Sequence, residues 1–304
     1  IDLPKQIYKN VSVNLCSERM AKGMEEIITS RQNRQVVRLM KLTDRKNRDA
    51  ERAFRFDGIK LFCEAVRNGV EIETVFVRAS STSRLTERAQ AIGGCGEAFS
   101  SVPCVVLEDS LFDRVSEEKS PDGVICVAKY IDKLHKIITI NNKGEKTDGF
   151  LPPREEHLIL LESVRDPANI GAVIRSAAAL GADRMILSAD CADLYNAKTV
   201  RASMGTLFRM RIDRTVDLPE YIRALRESGR RVFAAALDAC AVRLGSFAPL
   251  PGDCAVIGNE GHGLTAGALD ACTRTVYIPM REGVESLNAA VAASLFLWEL
   301  AKRN

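Results

Sequence analysis

Three short stretches of this chain carry residue types and spacings that could do chemistry. In the first, Asp166-Pro167-Ala168-Asn169-Ile170-Gly171-Ala172-Val173-Ile174-Arg175, Asp166 or Asn169 is placed to cap a helix whose first turn suits Pro167. The residues that follow are small and apolar, with Arg175 as the exception. That guanidinium is open to two readings: a helix-surface cation, or a planar fork that grips a carboxylate or phosphate. In the second stretch, Val256-Ile257-Gly258-Asn259-Glu260-Gly261-His262-Gly263-Leu264, a strand ends in a glycine-rich loop whose backbone amides can approach a ligand. The loop is not a G-x-G-x-x-G turn opening a helix, and no G-K-[ST] follows it, so NAD- and ATP-type phosphate sites are not supported. In the third, Ile278-Pro279-Met280-Arg281-Glu282-Gly283-Val284-Glu285-Ser286-Leu287-Asn288, Ser286 is placed to cap the last helix. Asn288 falls in that helix's first turn, where free amides and the positive dipole end gather. Capping accounts for Ser286 and leaves Asn288 unexplained.

The elements that must position these residues alternate between strand and helix. Residues 158–164, 184–188, 231–237, 254–261 and 275–280 read as strands. Residues 170–181, 218–229 and 286–303 read as helices. This alternation over 157–304 predicts a mostly parallel sheet covered on both faces. A smaller α/β unit occupies 54–130, with a helix near Ile59, Phe62, Cys63 and Val66 and strands at 74–77, 103–107 and 123–130. Between the two, 131–156 is polar and reads as a linker or hairpin insertion. Ahead of them, 1–53 is an N-terminal extension ending in a basic helical segment that begins near Met24.

The chain's 304 residues suit two domains. Its 46% hydrophobic and 27% charged content excludes a largely disordered chain. The longest uncharged candidate span, 286–298, is shorter than the about 20 apolar residues a membrane helix needs, so no membrane partner is expected. Nine scattered cysteines without C-x-x-C spacing, and three dispersed histidines, predict no metal site. They point instead to a reducing compartment, with the cytosol as the expected address. The net charge of +3 is less informative than its distribution. Arg31, Arg34, Arg38, Lys41, Arg45, Lys46, Arg48, Arg52 and Arg55 are set against only Asp44, Asp49 and Glu51. Such a stripe either attracts a polyanion or is a solvated helical face. As an RNA surface its candidates are Arg31, Arg34, Arg38, Lys41 and Arg45.

Taken in order, the three stretches resemble the signature motifs of the SpoU-type RNA 2′-O-ribose methyltransferases of the SPOUT superfamily. The matching patterns are N-I-G-A-x-x-R, G-N-E-G-x-G-L and I-P-M-x-x-x-V-E-S-L-N-A-A-V-A. The segment from Tyr195 to Gly205 is similar to the family as well. So is Thr29-Ser30-Arg31-Gln32-Asn33, which leads into a 54–130 unit resembling a ribosomal-protein-like substrate-binding domain.

The resemblance implies an α/β fold whose C-terminal parallel-sheet domain, 157–304, is tied in a deep trefoil knot, one of the rare exceptions to unknotted topology. The small α/β domain before it would bind RNA. S-adenosylmethionine is the implied cofactor, flanked by Gly258, Ile278 and Leu287. Asn169, Arg175, Glu260, Ser286 and Asn288 are the implied catalytic residues. The implied substrate is structured RNA, ribosomal RNA favoured over transfer RNA, and the implied assembly is a homodimer. The apolar girth of the last helix, from Ala289 to Leu300, independently asks for burial on more than one face.

Family proposals make Arg175 a general base. A guanidinium stays protonated in proteins, which favours a clamp on the substrate phosphate and developing alkoxide, oriented by Glu260. Two features depart from the family pattern: Asp57-Gly58 where Glu-Gly is expected, and a long 131–156 link. Residues 1–23 match nothing in it. A fold-retaining RNA-binding protein without turnover is the alternative, disfavoured by the intact motif residues. A nucleotide-dependent dehydrogenase lacks its glycine fingerprint.

Overall fold

The computed structural model describes residues 26–131, 137–138, 151–284 and 286–302. Residues 1–23 and most of the 131–156 link lie outside them. The chain forms two compact units, one from residues up to 131 together with 195–208, the other from 132–194 and 209 onward.

In the first unit, Asn33 accepts the Gln35 amide at 2.9 Å and opens α1 (Arg34–Lys41), which turns Val36 and Leu39 inward. The basic segment does not continue as one helix. Asp44 caps a second, α2 (Arg45–Glu51). At the break between them, the buried Arg48 guanidinium donates to the carbonyls of Leu42 and Thr43 at 2.9 and 2.6 Å. There follow β1 (Ala53–Asp57), α3 (Ile59–Arg67), β2 (Ile72–Arg78), α4 (Leu85–Gly93), α5 (Gly96–Ser101), β3 (Cys104–Leu107), α6 (Asp109–Val115) and β4 (Val124–Lys129). The sheet order is β1-β4-β2-β3, parallel only between β2 and β3. One sheet face, with Phe76, Ile125 and Val127, packs on Val36, Leu39 and Leu42 and on Leu111, Phe112 and Val115 of α6.

Aromatic rings gather around β1. Phe54 lies 4.6 Å from Tyr195, Phe56 lies 5.5 Å from Phe208, and Tyr130 stacks on Tyr195 at 4.0 Å and 8°. The 195–208 segment, which includes a short helix, Ala197–Ala202, thus completes the core of a unit whose other residues precede it by some distance in the chain.

The second unit contains β5 (Ile137–Ile138), β6 (Leu158–Leu161), α7 (Pro167–Ala179), β7 (Arg184–Ser188), β8 (Arg211–Thr215), α8 (Leu218–Glu227), β9 (Val232–Ala235), β10 (Val242–Arg243), β11 (Cys254–Ile257), α9 (Ala266–Ala271), β12 (Arg274–Tyr277) and α10 (Ala289–Ala301). All eight strands are parallel, in the order β10-β12-β9-β11-β6-β7-β8-β5. The continuous apolar runs of β6 and β11 are buried throughout, as central parallel strands require. From β6 the chain steps outward through β7 to β8. It then returns to build β9, β11 and β12 on the other side. The order reverses at the β6–β11 boundary, and the carboxyl ends of strands at such a point form the usual ligand crevice of an open α/β sheet.

α10 packs against α7 and buries Ala289, Ala290, Ala293, Phe296, Leu297 and Leu300. Val291, Leu295 and Trp298, spaced along its other face, remain 48%, 38% and 57% exposed. Among the described residues no helix is long and apolar enough to cross a membrane. No group of three or more His, Cys, Asp or Glu side chains among them is placed to hold a metal ion.

Candidate active site

The loop leaving β11 is a closed ring of backbone. Gly258 has no room for a side chain, since a Cβ there would lie 2.4 Å from the carbonyl carbon of Gly263. Asn259 and Gly263 bond amide to carbonyl in both directions at 3.0 Å, with Gly263 at φ 68°. The Asn259 side chain fills the turn: its Oδ1 accepts the amides of Gly261 and His262 at 2.8 and 3.1 Å.

Glu260 stands exposed on this ring, and its Oε1 accepts from Asn169 Nδ2 at 2.7 Å. Asn169 is buried in the first turn of α7, which Asp166 caps by accepting the Ala168 amide at 3.0 Å. The Oδ1 of Asn169 accepts in turn from Asn288 Nδ2 at 2.9 Å. A relay of two amides thus joins the start of α10 to the start of α7 and to the carboxylate on the β11 loop.

This relay corrects the expected capping of the last helix. Asn288, not Ser286, is the cap: its Oδ1 accepts the amides of Ala290 and Val291 at 2.9 and 3.3 Å, and its ψ of 138° keeps it outside the helix. The helix therefore begins at Ala289, and Ser286 lies exposed before it. Leu287 and, after β12, Ile278 are half-buried. Arg175 is exposed on α7 and has no hydrogen-bonding or ion-pair partner among the described residues. Glu260 is thus joined to Asn169 and not to Arg175. An open groove of about 510 Å³ runs between α7 and α10, with Asn169, Ser176, Asn288, Val291 and Leu295 among its lining residues.

The SpoU rRNA methylase family matches residues 156–298, a span that contains all three of these segments. The MRM3-like substrate binding domain matches residues 33–126. The chain thus joins a SpoU-type methylase domain to an MRM3-like substrate-binding domain. It is 27% identical to the 23S rRNA (guanosine(2553)-2'-O)-methyltransferase of Bacillus subtilis, an alignment covering 90% of this chain and 98% of that protein. It is 31% identical over 64% of its length to the 23S rRNA (uridine(2479)-2'-O)-methyltransferase of Streptomyces viridochromogenes, of which 65% is covered. Among solved structures, the AdoMet-bound rRNA methyltransferase of Sinorhizobium meliloti superposes with a TM-score of 0.72 at 26% identity, over 91% of this chain and 97% of that one.

In the N-terminal unit the basic segment is thinner as a surface than it is in sequence. Arg48 and Arg55 are buried, the latter pairing with Asp57 at 3.0 Å. Arg38 is held by Glu51 at 2.7 Å and Glu73 at 2.6 Å. Arg45 is exposed and lies 3.5 Å from Asp49. Arg31, Arg34 and Lys41 are exposed and have no carboxylate partner among the described residues. Two polar residues hydrogen-bonded to the ends of the β11 loop, Ser163 to Asn259 and Glu162 to Thr265, carry no motif that would mark them in the sequence. A glutamate placed directly after the apolar run of β6 is the signal available.

Proposed function

We propose that this chain is an S-adenosylmethionine-dependent methyltransferase acting on a ribose 2′-hydroxyl of ribosomal RNA. The observation that carries the proposal is the hydrogen-bonded relay of Asn288, Asn169 and Glu260 at the strand-order reversal, beside the bare backbone of Gly258. The named relatives act on 23S rRNA, which favours ribosomal over transfer RNA. A ligand held mainly by main chain suits a loop in which Gly258 admits no side chain, with half-buried Ile278 and Leu287 to cover an apolar ring. Bound S-adenosylmethionine supplies an already activated sulfonium methyl.

The protein's own task is to place a weakly acidic hydroxyl in line and assist loss of its proton. Arg175 stays charged, so it grips the substrate phosphate through its planar fork and stabilises developing alkoxide charge. Glu260, with Oε1 engaged by Asn169, has its other oxygen to orient that guanidinium. Asn288 uses both amide atoms on the helix cap and Asn169, so it positions the site. Ser286 offers the free hydroxyl for the substrate.

The reading includes a homodimer in which a second copy covers Val291, Leu295 and Trp298, whose exposure in one chain supports it. It also includes the deep knot implied by the family, with the β11 loop and the start of α10 both meeting α7. Transfer of a tritiated methyl from S-adenosylmethionine to total RNA tests the activity. A 2′-O-methyl blocks alkaline cleavage, so label recovered in alkali-stable dinucleotides is expected. Absence of label, or its recovery on mononucleotide bases, overturns the proposal.

A further inference from the structure

Two consecutive residues at the carboxyl end of β6 grip both ends of the loop that carries Gly258 and Glu260. At the loop's exit, the Glu162 carboxylate accepts the Thr265 amide on Oε2 and the Thr265 hydroxyl on Oε1, each at 2.8 Å. At its entrance, the Ser163 carbonyl accepts the Asn259 side-chain amide at 2.8 Å. Ser163 sits in the left-handed region at φ 54°, a sparsely populated conformation that persists only where its surroundings over-determine it. Those surroundings include the Ser188 hydroxyl, which accepts the Ser163 amide at 2.8 Å and donates to Asp190 at 2.6 Å.

Glu162 is only 4% exposed and enters no ion pair among the described residues. Burying a carboxylate without a counter-ion is costly unless its oxygens are well used. A glutamine would be cheaper to bury, but its NH2 could meet the Thr265 hydroxyl only by turning that hydroxyl, already an acceptor for the Ala268 amide, from donor to acceptor. A carboxylate at 162 takes both Thr265 donors as they stand, with no rotation of the hydroxyl. Thr265 also caps α9 through the Ala268 amide at 3.2 Å, so the loop's exit is tied to a helix as well as to a strand.

The geometry points to Glu162 as a positioning residue for methyl transfer: through Thr265 it holds the 258–264 loop at the setting in which Glu260 meets Asn169. This rests on the reading of that loop as the methyl-donor and catalytic loop. Without Glu162 the side-chain tether of Asn259 remains, and the loop's exit loses its strand anchor and is held by the α9 cap alone. Both the Gly258 backbone and the Glu260 carboxylate then lose their fixed place.

Full-length Glu162→Gln, Thr265→Val and Thr265→Ser provide the test. The measurements are calorimetric binding of S-adenosylmethionine, kcat and KM for RNA, and amide hydrogen exchange at residues 258–265 against the interior of α7. Glu162→Gln and Thr265→Val are expected to weaken S-adenosylmethionine binding about tenfold, to speed local exchange by a similar factor and to lower kcat, with KM for RNA unchanged. Thr265→Ser keeps both donors and should restore all three. A folded Glu162→Gln protein with wild-type donor affinity, kcat and local exchange overturns the inference, as does a loss confined to thermal stability. Failure of Thr265→Ser to rescue overturns it too. Should Glu162→Gln not fold, Thr265→Val decides by the same readouts. A wild-type chain that bound no S-adenosylmethionine would refute the proposed function instead, and the exchange comparison would still report on the clamp.

Discussion

In the first unit, Arg31, Arg34 and Lys41 project from α1 and the turn before it without a carboxylate to hold them, whereas the polar groups at the carboxyl ends of β6 and β11 are nearly all held by one another. Asn169, Asn259 and Asn288 each use both ends of their amides, and Glu162 uses both oxygens. The contrast follows from what each region has to do. Attraction of a phosphate chain works through released counterions and tolerates loose side chains. Alignment of a hydroxyl with a methyl group does not tolerate them, and a misplacement of about 1 Å is expensive. Arg175 is the exception in the second unit: it is exposed and unpaired like the α1 cations, yet it stands on the helix that carries Asn169.

Arg175→Ala tests that exception most severely. Turnover is expected to fall on the order of 10³-fold, the cost of removing a transition-state donor, while S-adenosylmethionine affinity stays near wild type. Arg175→Lys should rescue poorly, because it lacks the bidentate fork. Near-normal turnover in the alanine variant would place Arg175 with the loose cations after all.

A smaller effect is expected from Trp298→Glu on the exposed stripe of α10. Sedimentation equilibrium of the wild-type chain should give about twice 33.4 kDa, and the variant should move toward the single-chain mass with reduced activity. A fully active wild-type monomer would remove assembly from the account of the site.

The mildest changes sharpen the picture of the first unit. Replacing Arg34 and Lys41 with alanine should flatten the dependence of log KM on log salt by about 0.7–0.9 for each phosphate no longer neutralised, with kcat unaltered. Arg38→Ala should leave that slope alone and cost under about 1 kcal/mol of stability, the usual worth of an exposed ion pair, since its guanidinium already serves Glu51 and Glu73. A steeper effect from Arg38 than from Arg34 and Lys41 would reverse the assignment.

The parallel sheet was legible because its central strands are uninterrupted apolar runs, Leu158–Leu161 and Cys254–Ile257. Less legible were strands whose charges are neutralised locally. In β8, Asp213 is buried against Arg184 at 2.5 Å, and Arg214 donates to the carbonyls of Ala189, Cys191 and Ala192. In β1, the buried Arg55 pairs with Asp57, so Ala-Phe-Arg-Phe-Asp looks like the edge of a loop and folds as a strand. The site's residue types could be read directly, but not their hydrogen bonds. Nothing in sequence alone tells which of Ser286 and Asn288 turns its side chain back onto the helix, or that Arg175 stands apart from Glu260. Glu162 escapes a sequence reading because its partner, Thr265, lies far along the chain at the other end of the loop it supports.

The membership of residues 195–208 in the first unit has a consequence for how the protein is made. Phe54, Phe56 and Tyr130 are all synthesised well before Tyr195 and Phe208, the rings that cover them. At translation speeds on the order of 5–20 residues per second, that aromatic surface waits several seconds for its lid, while β6, α7 and β7 of the other unit emerge in between. The N-terminal unit therefore cannot finish folding until the opening strands and helix of the C-terminal one have been made. Its closing contacts are long-range, which slows folding and leaves the nascent chain with an uncovered apolar face that a holdase chaperone would recognise.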